Sequence, residues 1–428
     1  MTVDTEVDRS AAPSRDSPDA GHRVSGLLDP NFSCVVRGFA SLFPGRRFGG
    51  GALAVYLDGQ PVVDVWTGWS DRGGTVPWTA DTAPMVFSAT KGMASTVIHR
   101  LVDRGLIDYD APVAEYWPEF GANGKAHLTV REVMRHRAGL SGLRGATRDD
   151  LLDHVVMEER LAAAPPGRLL GKPAYHALTY GWLMSGLARA VTGKGMRELI
   201  REELAEPLDT DGMYLGRPPA EAPTKVAEIV MPQNIIANPV VRYAAHKVAN
   251  QLSSGFRSMY FPGVTAALQG DIPMLDAEMP AANGVVTARA LARMYGAIAN
   301  GGEIDGTRFL SRELVAGLTG RRSLEPDRNL FVPLAFHLGY HTLPFGNVMP
   351  GFGHVGMGVS FGWADPATGV ALSYVHNRLL TPFLLLDHSG VATLGNLLRQ
   401  GVAKARKRGF RSVTEFGSPV SEPGAVAG

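Results

Sequence analysis

Cysteine is almost absent from this chain: Cys34 is the only one in 428 residues. No intrachain disulfide can form, and no multi-cysteine metal site can be built. Cys34 lies in an apolar-periodic stretch from Phe32 to Phe43, which points to packing rather than to thiol chemistry. Excess charge of one sign is also missing. The 42 Lys and Arg against 41 Asp and Glu leave a net charge of +1, so no global field favours nucleic acid or an acidic partner. No uninterrupted apolar run reaches about 18 residues, so no transmembrane helix is expected. Residues 1–22 lack the basic start and apolar stretch of an export signal. They are polar, acidic and rich in Ser, Pro and Ala, which predicts a disordered segment. Cytoplasmic location is the default expectation, with association to the cell envelope as the alternative. The twelve histidines never take His-Glu-x-x-His spacing, so a catalytic metal is not supported.

Apolar residues make up 45% and charged residues 19%, an ordinary composition for a globular chain with a full core. Asp29-Pro30 reads as a helix start, a cap followed by proline. Ala52–Leu57 and Pro61–Trp66 flank Asp58-Gly59, a hairpin signal. Both strands are apolar at nearly every position, so both faces of the sheet should be covered. Helices are expected over 88–105, 128–136, 146–163, 178–192, 195–205, 288–299 and 388–407. Thr129 with Glu132 forms the capping pattern of the second. Met357–Asp365 and Val370–Asn377 read as strands joined by a turn at 365–369. There is no internal repeat. Strand signals at both ends predict an α/β (α+β) sheet domain built from residues 23–105 and 285–408. A mostly helical domain, 106–284, is inserted between them, and 409–428 form a loose tail.

Ser88 and Lys91 stand three residues apart at a helix start, on one face. There the backbone dipole favours developing negative charge. A neighbouring lysine can take a serine hydroxyl's proton. The spacing alone is weak. With 22 serines and 8 lysines in the chain, chance supplies roughly 0.4 occurrences. Context strengthens it: the motif follows a sheet-like segment, opens a helix, and runs on into the small residues Gly92, Ala94 and Ser95.

Several motifs occur in order: Phe87-Ser88-Ala89-Thr90-Lys91, the runs 105–113 and 128–140, Tyr175-His176-Ala177-Leu178-Thr179-Tyr180, and Gly353-His354-Val355-Gly356. On these, the chain from about 25 to 405 resembles the serine β-lactamase and penicillin-binding-protein superfamily. It is closer to the superfamily's esterase branch, the family VIII carboxylesterases, and looks most like their mycobacterial lipase/esterase members. The resemblance implies a β-lactamase/transpeptidase-like fold, with an antiparallel sheet flanked by helices. It implies ester hydrolysis through an acyl-enzyme on Ser88, a small ester as partner and no cofactor. Tyr175 matches the family's loop tyrosine, so a tyrosinate stabilised by Lys91 becomes the favoured base. The family's Tyr-x-Asn is here Tyr175-His176-Ala177, and the missing amide weighs against β-lactams more than against esters. Lys-Thr-Gly is replaced by His354-Val355-Gly356, which gives His354 and Gly356 as substrate-binding candidates. Backbone amides of Ser88 and Met357 would form an oxyanion hole.

Gly358-Val359-Ser360-Phe361-Gly362 fits Gly-x-Ser-x-Gly, but that motif needs a strand–turn–helix elbow and no helix follows. Lys404, Arg406, Lys407, Arg408 and Arg411 read as a solvated helix end, with an anionic membrane surface as the sharper alternative. The aromatic and methionine-rich stretch 253–275 reads as core packing or as an acyl-pocket lid.

Overall fold

A computed structural model of the chain describes residues 24–142, 145–231, 274–319, 325–330, 334–343, 348–379 and 389–413. The stretch 253–273 and the segment 1–22 lie outside them, as does 414–428. Among the described residues the main sheet has eight antiparallel strands. They are β1 (Ser25–Leu28), β2 (Gly50–Leu57), β3 (Gln60–Gly68), β4 (Phe336–His337), β5 (Tyr340–His341), β6 (Phe352–Val355), β7 (Phe361–Asp365) and β8 (Val370–His376). Their order is β1-β3-β2-β8-β7-β6-β5-β4. The two ends of the chain therefore meet at the β2–β8 pair, where Leu57 faces Val370 and Gly51 faces His376.

The pleat sorts the side chains. Ala52, Ala54 and Tyr56 enter one core, and Leu53, Val55 and Leu57 enter the other. This is why β2 is buried along its whole length: alternate residues of a strand face opposite sides. On one side lie α1 (Ser33–Ala40) and α7 (Ser389–Arg408), packed on each other. Cys34 sits partly buried in that layer, its sulfur against the Leu397 carbonyl. On the other side lie α2 (Thr90–Asp103) and α6 (Ala288–Ala299). The larger core extends from these into the helical middle, which includes α3 (Val130–Met134), α4 (His154–Ala163) and α5 (Thr179–Thr192). Tyr295 of α6 is wedged between α2 and the sheet. A Cβ at Gly92 or at Gly362 would stand 2.2 Å from its atoms, so these two glycines set the spacing of the layers.

The helix starts follow their caps. Asp29 accepts the Asn31 amide, and Pro30 opens a 3-10 turn leading into α1. Thr129 and Glu132 make both bonds of the capping box at α3. Asp58 and Gly59 take φ of 51° and 74° at the hairpin turn, the left-handed pair that a tight hairpin requires. Two expectations are corrected. The helix over 146–163 is broken, because the Asp153 side chain caps a new helix by accepting the Val155 and Val156 amides. The strand over 357–365 begins only at Phe361. Residues 357–359 form a 3-10 turn in which Gly358 and Val359 have φ of 80° and 81°, outside the extended region. At the other end, Arg411 N–H donates to Asp29, and Val413 N–H donates to Pro61 O.

Candidate active site

Ser88 lies in a tight 3-10 turn, Phe87–Ala89, which leads into α2. Phe87 has φ of 49°, a left-handed setting uncommon for a bulky residue. One turn on, the Lys91 amine reaches back to Ser88, with Nζ 2.9 Å from Oγ. The Ala281 carbonyl holds the same nitrogen at 3.0 Å. That carbonyl is placed by a loop stitched to α2. Val86 N–H donates to Gly284 O, Gly284 N–H donates to Thr90 Oγ1, and Asn283 ties the loop internally to Met274, Ala277 and Met279.

Lys91 is fully buried, and burial alone holds its amine well below the ordinary lysine range. Desolvation disfavours the charged form, so the amine that contacts Ser88 Oγ keeps a lone pair able to take the serine proton when it is released. The Tyr175 ring centre is 4.9 Å from Lys91 Nζ. Tyr175 is also buried, and burial raises its phenol well above the ordinary range, against an opposing hydrogen bond from Ser88. Burial of each group by itself thus favours the neutral amine and the neutral phenol.

The loop carrying Tyr175 is held on both sides. Arg328 N–H donates to Pro173 O, and Asn329 Nδ2 donates to Tyr175 O at 2.9 Å. His176 points away from the serine: its Nε2 accepts the Leu140 amide, and its Nδ1 lies 2.7 Å from Ala174 O. Burial pushes it down to about 4. Ala177 packs with Tyr175 and Phe336.

His354 on β6 faces this group. Its ring is 6.3 Å from Tyr175 and 4.9 Å from His341. Nδ1 lies 3.1 Å from Val355 O, and buried Nε2 has no protein partner. Burial, and next the neighbouring His341, hold the ring well below the ordinary histidine range. Gly356 and Met357 lie against the serine turn, since a Cβ on Gly356 would meet Val86 O and Ala89 N. The first hydrogen-bonded amides of the two 3-10 turns are Ala89 and Val359. The Ser88 and Met357 amides precede them and have no partner within their turns. Ser88, Lys91, Tyr175, His354, Gly356 and Met357 are thus gathered in one place. Ser360 is not part of it: its Oγ is bound to the backbone of His376, accepting N–H at 3.1 Å and lying 3.3 Å from the carbonyl oxygen.

Motif reading missed two contributors. Ala281 acts through a main-chain carbonyl, which leaves no side-chain signature. Phe336 stacks on Tyr175 at 5.5 Å and also contacts His136, His341 and His354, but it lies on a two-residue strand too short for any period. Among the described residues no group of three or more His, Cys, Asp or Glu is arranged to hold a metal ion, and no helix is long and apolar enough to cross a membrane.

Residues 34–392 match the Beta-lactamase family. The chain is 75% identical, over the full length of both proteins, to the esterase/beta-lactamase LipL of Mycobacterium tuberculosis (strain ATCC 25618 / H37Rv). Among solved structures, a family VIII carboxylesterase superposes with TM-score 0.76 at 32% identity, covering 88% of this chain and 100% of that one. A penicillin-binding protein homolog from Caulobacter crescentus gives TM-score 0.74 at 31% identity, covering 89% and 100%.

Proposed function

The chain belongs to the Beta-lactamase family, and from that premise we propose that it is a serine carboxylesterase acting on short-to-medium acyl esters through an acyl-enzyme on Ser88. The observation that carries this is the 2.9 Å contact between Ser88 Oγ and the buried amine of Lys91. The neutral amine takes the hydroxyl proton as Oγ attacks the ester carbonyl. Charge develops on the carbonyl oxygen, where the amides of Ser88 and Met357 would form the oxyanion hole and lower the barrier by electrostatic stabilisation. Collapse breaks the bond to the alcohol. The proton held on Lys91 passes to the departing oxygen, with the Tyr175 phenol as the relay. Water then repeats the sequence: its proton goes to Lys91, its oxygen bonds to the acyl carbon, and Ser88 recovers its proton as the acid leaves. Esters are favoured because Ala177 presents a methyl against Phe336 where an amide side chain would hold an amide substrate.

Replacement of Ser88 by Ala should abolish turnover of p-nitrophenyl butyrate, and an acyl adduct should map to Ser88 in the unaltered protein. Full turnover by the variant, with no adduct at Ser88, would overturn the assignment.

A second reading has a specific support: the relative identical at 75% bears both names, esterase and beta-lactamase. The same attack on a strained amide gives β-lactam opening, and a D-amino-acid peptidase or transpeptidase is the same chemistry on a peptide. Nitrocefin and p-nitrophenyl butyrate compared at equal enzyme separate the readings, and a strong preference for nitrocefin sinks the first.

Cytoplasmic location is the default we propose, with contact between the end of α7 and an anionic envelope surface as the alternative to a simply solvated helix end. Lys404, Lys407, Arg408 and Arg411 are exposed there, while Arg406 pairs with Asp58. Co-sedimentation with anionic but not zwitterionic vesicles is the expected result, and equal binding to both would remove the contact.

A further inference from the structure

We infer that His136 is a positioning residue for Tyr175, acting through the backbone on either side of it; the inference rests on the Ser88 acyl-enzyme reading. His136 follows α3 with a φ of 58° and is fully buried. Left-handed backbone at a buried non-glycine residue is costly and persists where surrounding contacts impose it. Here one residue makes two bonds to the tyrosine loop. Its carbonyl accepts the Ala174 amide at 3.1 Å, and its Nδ1 accepts the His176 amide at 3.1 Å. The residues before and after Tyr175 are therefore both fixed to His136.

Through Tyr180 of α5 the imidazole is also linked to the helix that carries Lys91. Its centre is 5.0 Å from the Tyr175 ring and 4.6 Å from the Tyr180 ring. The Tyr180 hydroxyl lies 2.7 Å from Ser95 Oγ, which donates to the Lys91 carbonyl at 2.6 Å. His136 is thus bonded to the loop of the phenol and linked, through Tyr180 and Ser95, to the first turns of the helix that carries the amine. Accepting through Nδ1 requires the ring proton on Nε2 and no second proton. Burial, and next His176, oppose protonation of the ring, so the acceptor is retained.

The variants His136→Asn and His136→Ala test this. Asparagine tolerates left-handed backbone, and its Oδ1 can accept the His176 amide. Alanine removes the acceptor and the ring. Steady-state kinetics on p-nitrophenyl butyrate should show kcat of H136A reduced about 100-fold with KM within about threefold, the pattern of misplaced rather than missing groups. H136N should recover to within about tenfold of the unaltered enzyme. A folded H136A within threefold in kcat overturns the inference. So does an H136N as impaired as H136A, because a core-packing role predicts no rescue by the acceptor. If H136A does not fold, H136M refills the space without a strong acceptor and takes its place. Ser88→Ala is run alongside: activity that survives it fails the acyl-enzyme reading itself, whereas Ser88-dependent activity indifferent to His136 fails only this inference.

Discussion

The backbone of Gly356 lies on the backbone of Val86: a Cβ at 356 would stand 2.1 Å from the Val86 carbonyl oxygen and 3.2 Å from Ala89 N. Strand β6 can reach the serine turn only because residue 356 has no side chain. Replacing Gly356 by Ala must push strand and turn apart by a fraction of an ångström to an ångström. Such a displacement at reacting groups costs about 100-fold in rate. The expected outcome is a kcat lower by that factor, with far-UV circular dichroism unchanged. An active Gly356→Ala enzyme would show that the contact does not set the site.

Lys91 should matter for chemistry and little for stability. A buried amine gains nothing from its charge, and methionine matches its length and flexibility. Lys91→Met should lose about a thousandfold in kcat, within the span that a removed general base accounts for, while its Tm is maintained. A parallel collapse of Tm and activity would show that the residue is structural.

The pH profile should have one acid limb and no alkaline limb near 10. Burial lowers the Lys91 pKa and raises that of Tyr175. The base works unprotonated, so kcat/KM climbs as pH rises through the lowered lysine value. The raised phenol stays protonated above that point, so the rate holds level. A rate that keeps rising through pH 9 to 10 would instead mark tyrosinate as the base.

Stability should fall in acid above the range where surface carboxylates titrate. His176 is pushed from 6.5 to about 4 and His99 from 6.5 to about 3, both by burial. These depressed values mean that the unfolded chain binds protons first. Stability is therefore full above pH 6.5 and is lost as pH falls towards 4, by about 3 kcal/mol for His176 alone. Asp64 runs the other way: burial raises it from 3.8 to about 6, so protonation favours the native state between those values and offsets part of the loss. Thermal melts from pH 7 to 4 should show a falling Tm, and a level or rising Tm would refute the sign.

Ser360→Ala should leave ester turnover within about twofold and cost roughly 1 kcal/mol in stability, the usual worth of such hydrogen bonds. Loss of turnover comparable to that of Ser88→Ala would reinstate the Gly-x-Ser-x-Gly motif.

Local chemistry was legible where one segment decides its own structure. The Asp58-Gly59 hairpin, the Thr129 cap, the helix over 288–299 and the shared face of Ser88 and Lys91 all follow from neighbours within a few residues. Tyr175 needed the resemblance, because nothing local distinguishes it from a packed aromatic. The turn at 357–359 escaped because Val359 is β-branched and reads as strand, while its amide closes a turn onto the Gly356 carbonyl and its φ is 81°. The Ala281 carbonyl and the histidines around Tyr175 escaped for a more general reason. Their roles exist only once segments far apart in the chain are brought together.

The pairing of β2 with β8 joins Leu57 to Val370, about 310 residues later. At a ribosomal rate of 5–20 residues per second, β2 waits roughly 15–60 s after synthesis for that neighbour. Until then the hairpin at 50–68 offers an open, fully apolar edge to whatever strand it meets first. The nascent chain thus has its nucleophile long before it has an enzyme. Its yield in a cell should depend on what shields that edge during translation.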